Sequence, residues 1–128
     1  MIRDAENTFS KGQSLVGVTA KTASTNVVNV GTGDDYKSMW LQVQATTAIT
    51  AGSAATVTIT LETATDAAFT SPITLLTQAF STPVAIGKLI RQRVPVGVKG
   101  YIRVTYTSTV ALTAGVITAA LYTDIYLA

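Results

Sequence analysis

Between Thr56 and Glu62 apolar and polar side chains trade places at every step, Val57, Ile59 and Leu61 alternating with Thr56, Thr58, Thr60 and Glu62. A period of two is the mark of a strand with one buried and one wet face. The three apolar residues are therefore expected in the core. A polar segment, Ala64-Thr-Asp-Ala-Ala-Phe-Thr-Ser-Pro72, then separates this strand from the run Ile73-Thr-Leu-Leu76. Its length and composition predict a shaped crossover instead of a tight hairpin.

The same kind of patterning predicts strands over Leu15–Thr19, Asn26–Val30, Ser38–Ala45, Ala55–Thr63, Ile73–Phe80, Lys88–Val94, Tyr101–Thr107 and Val116–Tyr126. Gly31-Thr-Gly-Asp-Asp35, Thr82-Pro83, Pro95-Val-Gly97 and Ala111–Gly115 supply turn chemistry between them. About eight short antiparallel strands, with no amphipathic helix of useful length, predict an all-β, single-domain β-sandwich, and eight strands suit a jelly roll.

Two features sit outside that pattern. The leader, residues 1–14, mixes Ile2 and Phe9 with Arg3, Asp4, Glu6, Asn7 and Lys11 and has no clean period. It is expected to be an N-terminal arm ahead of a sandwich spanning residues 15–128, packed either on its own domain or on a neighbour. The second feature is an echo: Ala48-Ile-Thr-Ala-Gly52 returns as Ala111-Leu-Thr-Ala-Gly115. Either one hairpin design is used twice, or the match is chance in a chain rich in Thr and Ala; two copies are too few for a solenoid.

Composition narrows the picture further. The chain has 128 residues, enough for one domain with a real core. Apolar residues make up 48% and charged ones 12%, so neutral polar groups must cover the surface, and threonine supplies most of that cover. Met39–Leu61 and Val104–Thr123 carry no charge and are long enough to nominate membrane spans. Their alternating threonines and glutamines and their mid-run glycines instead predict two strands and a turn in each. Carboxylates at Asp4 and Glu6 stand where a signal peptide has its apolar stretch, which argues against one.

Charge and reactive residues exclude several functions. The net charge is +2 and the nine basic residues are scattered, so the clustered positive charge of a nucleic-acid binder is missing. Cysteine and histidine are both absent. This rules out disulfides, thiolate chemistry and the Ser-His-Asp arrangement, and removes most zinc sites. Asp34-Asp35 matches no calcium loop, no phosphate loop or nucleophile motif occurs, and no carboxylate pair stands out for glycoside hydrolysis. No enzyme activity, cofactor or metal site is expected.

What remains are candidate contacts. In Lys88-Leu-Ile-Arg-Gln-Arg-Val94, strand geometry puts Arg91 and Arg93 on a face with Leu89 while Ile90 and Val94 point into the core. The pair is either a solvated face that discourages edge-to-edge aggregation or a set of carboxylate receivers for a partner. Trp40 alternates with Met39, Leu41 and Val43 and so shares a face with Gln42 and Gln44. Three readings stand for it: core with the faces inverted, subunit contact, or sugar-stacking platform. Tyr101, Tyr106, Tyr122 and Tyr126 are expected at sandwich edges with their hydroxyls reaching water.

Ile2-Arg-Asp-Ala-Glu-Asn-Thr-Phe-Ser10, the strand and crossover from Ala55 to Pro72, and Gly100-Tyr-Ile-Arg-Val-Thr-Tyr106 with Leu112-Thr-Ala-Gly115 together resemble the capsid cement, or decoration, proteins of tailed bacteriophages. The resemblance is to the type named from a Bordetella podophage, and it covers nearly the whole chain in order. It implies a jelly-roll-like sandwich on the outer surface of the virion capsid, between capsomers of a major capsid protein with the HK97-like fold, made in the host cytoplasm. Such proteins resist internal DNA pressure and have no catalytic residues to carry over. A homo-oligomer, dimer or trimer, is expected, with no nucleic acid and no membrane as partner. The candidate capsid or subunit contacts are Ile2, Arg3, Asp4, Glu6, Phe9, Trp40, Arg91 and Arg93. A carbohydrate-binding or host-adhesion module of a phage particle is the alternative, because fold does not determine function.

Overall fold

A computed structural model describes residues 3–19, 21–24, 26–29, 39–94 and 99–123. The strands are β1 (Arg3–Ser14), β2 (Thr22–Ala23), β3 (Val28–Asn29), β4 (Met39–Ala51), β5 (Thr56–Ala64), β6 (Ile73–Ser81), β7 (Gly87–Arg93), β8 (Tyr101–Ser108) and β9 (Leu112–Thr123). One sheet runs β1-β9-β4-β7 and the other β2-β8-β5-β6, with β3 also on β8. Every pairing is antiparallel.

The order makes a jelly roll. Thr22 and Ala23 face Tyr106 and Thr105, then Val28 and Asn29 face Ile102 and Tyr101, so β2 and β3 are one interrupted strand along β8. The pairs are then β1 with β9, β2/β3 with β8, β4 with β7, and β5 with β6. These are the rungs of a single antiparallel ribbon folded back at β5 and β6. Rolling that ribbon brings β9 onto β4 and β8 onto β5, which closes the two sheets.

Side-chain alternation fills the space between them. Val57, Ile59 and Leu61 are buried as the pattern requires, and they meet Leu41, Val43, Ile117, Ala119 and Leu121 of the facing sheet in one cluster. Each of the valine, leucine and isoleucine side chains contributes roughly 2 kcal/mol by leaving water. On the outer face threonines stabilise the strands through cross-strand bonds, as in Thr60 with Thr77 at 2.9 Å.

The leader belongs to its own sheet. Arg3–Ser14 pairs with β9, and Phe9 is completely buried in the core. Three register shifts interrupt the pairing, which is why no period of two shows in the sequence. The expected strand over Leu15–Thr19 is instead a turn, with Val18 N–H donating to the Leu15 carbonyl at 3.1 Å and Gly17 at φ +83°. Tyr106 also departs from expectation. It is no edge residue: it is fully buried, and its hydroxyl lies 2.8 Å from Ser10 Oγ, stapling β8 to β1 across the sandwich. Burial drives its phenol well above the ordinary tyrosine range, against the smaller lowering effect of Ser10.

The echoed segments are partners, not two hairpins. The end of β4 lies against the start of β9, with Thr50 opposite Ala114 and Ala51 opposite Leu112, and Thr50 and Thr113 hydroxyls 2.9 Å apart. Ile49 and Leu112 both enter the core. Gly115 lets the strands approach: it sits at φ +146°, and a β-carbon there would lie 3.1 Å from Ile49 Cγ1 and 3.4 Å from Ile49 Cα. Gly115→Ala is therefore expected to lower unfolding free energy by about 1–3 kcal/mol, measured in urea.

The crossover after β5 folds down onto the outer face of its sheet. Asp66 organises it, accepting from Thr70 Oγ1 at 2.8 Å and from the Thr70 N–H at 3.3 Å, while its carbonyl accepts from the Phe69 N–H at 3.1 Å. Phe69 takes φ +54°, unusual for an aromatic residue. Its buried ring under the Arg103 guanidinium, 4.3 Å from the ring centre, offsets that strain. Arg103 Nε in turn donates to Glu62 at 3.0 Å, and Lys21 pairs with the other Glu62 oxygen.

Candidate contact surface

The outer face of the β4–β7 pair gathers three of the residues singled out in the sequence. Antiparallel pairing sets Trp40 opposite Arg93, Gln42 opposite Arg91, and Gln44 opposite Lys88. Because opposite residues share a face, this makes two adjoining columns, Trp40-Gln42-Gln44 and Arg93-Arg91-Lys88. The Arg93 guanidinium lies over the Trp40 ring, 5.4 Å from its centre. Leu41 and Val43 point the other way into the core, so the reading of Trp40 as core with inverted faces is set aside.

One shift in the ladder determines how the cations line up. Val43 faces Ile90 and Gln44 faces Lys88, so Leu89 is an extra residue on β7. Without that bulge, Lys88 and Arg91 would stand on opposite faces. Leu89 itself is partly buried against the core and not on the arginine face where strict alternation placed it. Ile90 and Val94 are buried as expected.

Among the described side chains this surface carries cations and no carboxylate. Lys88, Arg91 and Arg93 are exposed, and β4, β6, β7 and β9 contain no Asp or Glu. Both carboxylates among the described side chains are engaged elsewhere, Glu62 by Lys21 and Arg103 and Asp66 by Thr70. Gln42 lies in the middle of the face, buried, with its Oε1 lacking a hydrogen-bond partner and its amide donating only a long 3.4 Å bond to Gln44.

The remaining candidates separate. Phe9 is a core residue and presents nothing to a partner. Arg3, Asp4 and Glu6 lie in β1, at the far edge of the same sheet, with side chains outside the described set. Ile2 lies outside the described residues, as do Asp34, Asp35 and Tyr126. Lys88 was underweighted in the sequence because unbroken alternation puts it opposite the arginines; only the bulge reveals it. Among the described residues no cluster of three or more acidic side chains could hold a metal ion, and no helix is long and apolar enough to cross a membrane.

The fold and this surface define a class: a jelly-roll domain with a sheet face that carries a tryptophan, glutamines and a column of cations. The chain belongs to the Bbp16 family, whose model matches residues 9–121 and whose name points to a Bordetella phage protein. No curated protein matches the chain.

Proposed function

We propose that the protein is a capsid cement protein. It binds the outer surface of a phage head between capsomers of a major capsid protein with the HK97-like fold and stabilises the shell against internal DNA pressure. Membership of the Bbp16 family supports a phage protein, and the composition of the β4–β7 face is the observation that supports a contact role within the particle. Tryptophan and arginine are the side chains that most often dominate binding energy at protein contacts, and here Trp40, Arg91 and Arg93 share one sheet face. Many copies on one shell turn a modest single contact into firm retention. Assembly as a dimer or trimer forms part of the proposal, since a sandwich keeps open edges that a second copy protects.

Adhesion to a glycan has less behind it. The Arg93 guanidinium lies over one face of the only tryptophan, leaving at most the other for stacking on a sugar. Purified protein added to expanded, cement-free heads is expected to bind and to raise the temperature at which they rupture. Absence of binding, or rupture at an unchanged temperature, refutes the proposal.

A further inference from the structure

The four sheet edges are not equivalent. β1 is broken by three register shifts, and its Phe9 carbonyl already accepts from the Asn26 N–H at 2.9 Å. β2 and β3 are two residues each. β6 is long and wholly uncharged. β7 is the remaining edge: it pairs with β4 on one side, and no strand among the described residues lies on the other.

Cations on an edge strand commonly serve to block unwanted pairing. Here that explanation is incomplete, because β6, the neighbouring edge of the facing sheet, runs nine residues from Ile73 to Ser81 with no charge at all. Edge blocking alone therefore does not account for three cations on β7 and none on β6. The cations of β7 are moreover aligned on a single face by the bulge at Leu89, which simple repulsion does not require. They repel a second β7, and neither described carboxylate of another copy is available to meet them, since Glu62 and Asp66 are held within their own chain.

The geometry points to an extended acidic segment of the shell protein, added as a fresh strand along β7, with carboxylates at alternate positions opposite Arg91 and Lys88. Main-chain bonds to the open edge give affinity, and the cation column selects the charge. Arg93 is excluded from the pairing set because it is held over Trp40. This inference rests on the cement reading for the identity of the partner, but the chemistry of the edge can be tested without it.

Two experiments separate the two ideas. In the first, a short peptide of alternating Glu and Val is added to the purified protein and amide exchange is read over residues 87–93. Slowed exchange there, lost in the Lys88→Glu/Arg91→Glu variant and not produced by a Ser-Val peptide, supports strand addition; no slowing, or equal slowing by both peptides, overturns it. In the second, wild type and the same variant are titrated onto expanded heads across a range of salt. Wild-type binding that weakens with salt, and a loss of roughly tenfold or more in the variant, is the expected result. If wild type and variant bind equally, the acidic-strand contact is wrong while the cement reading stands. If neither binds heads but the Glu-Val peptide still protects β7, the cement reading is wrong and the edge chemistry stands; self-association that the double reversal abolishes would make a second copy the partner and overturn the inference.

Discussion

Phe9→Ala will destabilise the domain by about 3–5 kcal/mol, the range for emptying a buried phenylalanine site. The side chain is wholly buried among residues of both sheets, and the irregular β1–β9 ladder leaves few regular backbone bonds to hold the strand in its absence. The loss should also be local: amides of residues 8–14 are expected to exchange much faster in the variant than those of β5 and β8. Urea unfolding gives the first quantity and hydrogen exchange the second. A loss below about 1 kcal/mol would mean that the leader is an arm laid on the surface. The same reasoning makes a simple deletion of residues 2–10 a poor probe of capsid binding. It removes Phe9 and the Ser10–Tyr106 staple together, so lost binding would report lost folding.

How much of this was legible in the sequence depends on whether a strand keeps its period. β5 does, and Val57, Ile59 and Leu61 are buried to within 1% of full cover. The face of Trp40 could be read the same way, because Leu41 and Val43 alternate cleanly with it. Tyr106 falls on the apolar parity of Ile102 and Val104; the signal was present, and a general preference of tyrosine hydroxyls for water outweighed it. Here Ser10 replaces that water. β1 was hidden because register shifts erase alternation, and Lys88 was hidden by the bulge at Leu89. The jelly roll was expected from strand number and spacing, but which strand pairs with which could not be read. Among the described strands only β5 and β6 are neighbours both in the chain and in a sheet, so nearly every pairing joins strands far apart in sequence. For the same reason the Ala-Ile-Thr-Ala-Gly echo looked like a duplicated hairpin, whereas its two copies meet each other across β4 and β9.

The crossover from Thr65 to Pro72 has a single electrostatic anchor, and removing it should have the second largest effect. Glu62 sits at the end of the well-patterned β5 strand, with a side chain only 5% exposed, while its partners Arg103 and Lys21 are 18% and 47% exposed. Breaking a buried ion pair by deleting one member costs about 3–5 kcal/mol when the survivor stays buried. Lys21 can swing into water, which reduces that figure. Arg103 cannot do so fully, because its guanidinium lies on the buried Phe69 ring. Glu62→Ala is accordingly expected to lower stability by about 2–3 kcal/mol and to speed amide exchange over residues 65–72. Adding Arg103→Leu to Glu62→Ala should recover part of the loss, since no uncompensated charge then remains beneath the crossover. The double-mutant cycle distinguishes this from a packing effect: if the second substitution adds its full cost to the first, Glu62 acts through its volume and the charge pairing is incidental. A positive coupling would instead show that the crossover is fixed by charge on the outer face of its sheet. It would then keep its shape through the Phe69 ring and the charge network around Glu62, on the sheet opposite the β4–β7 face.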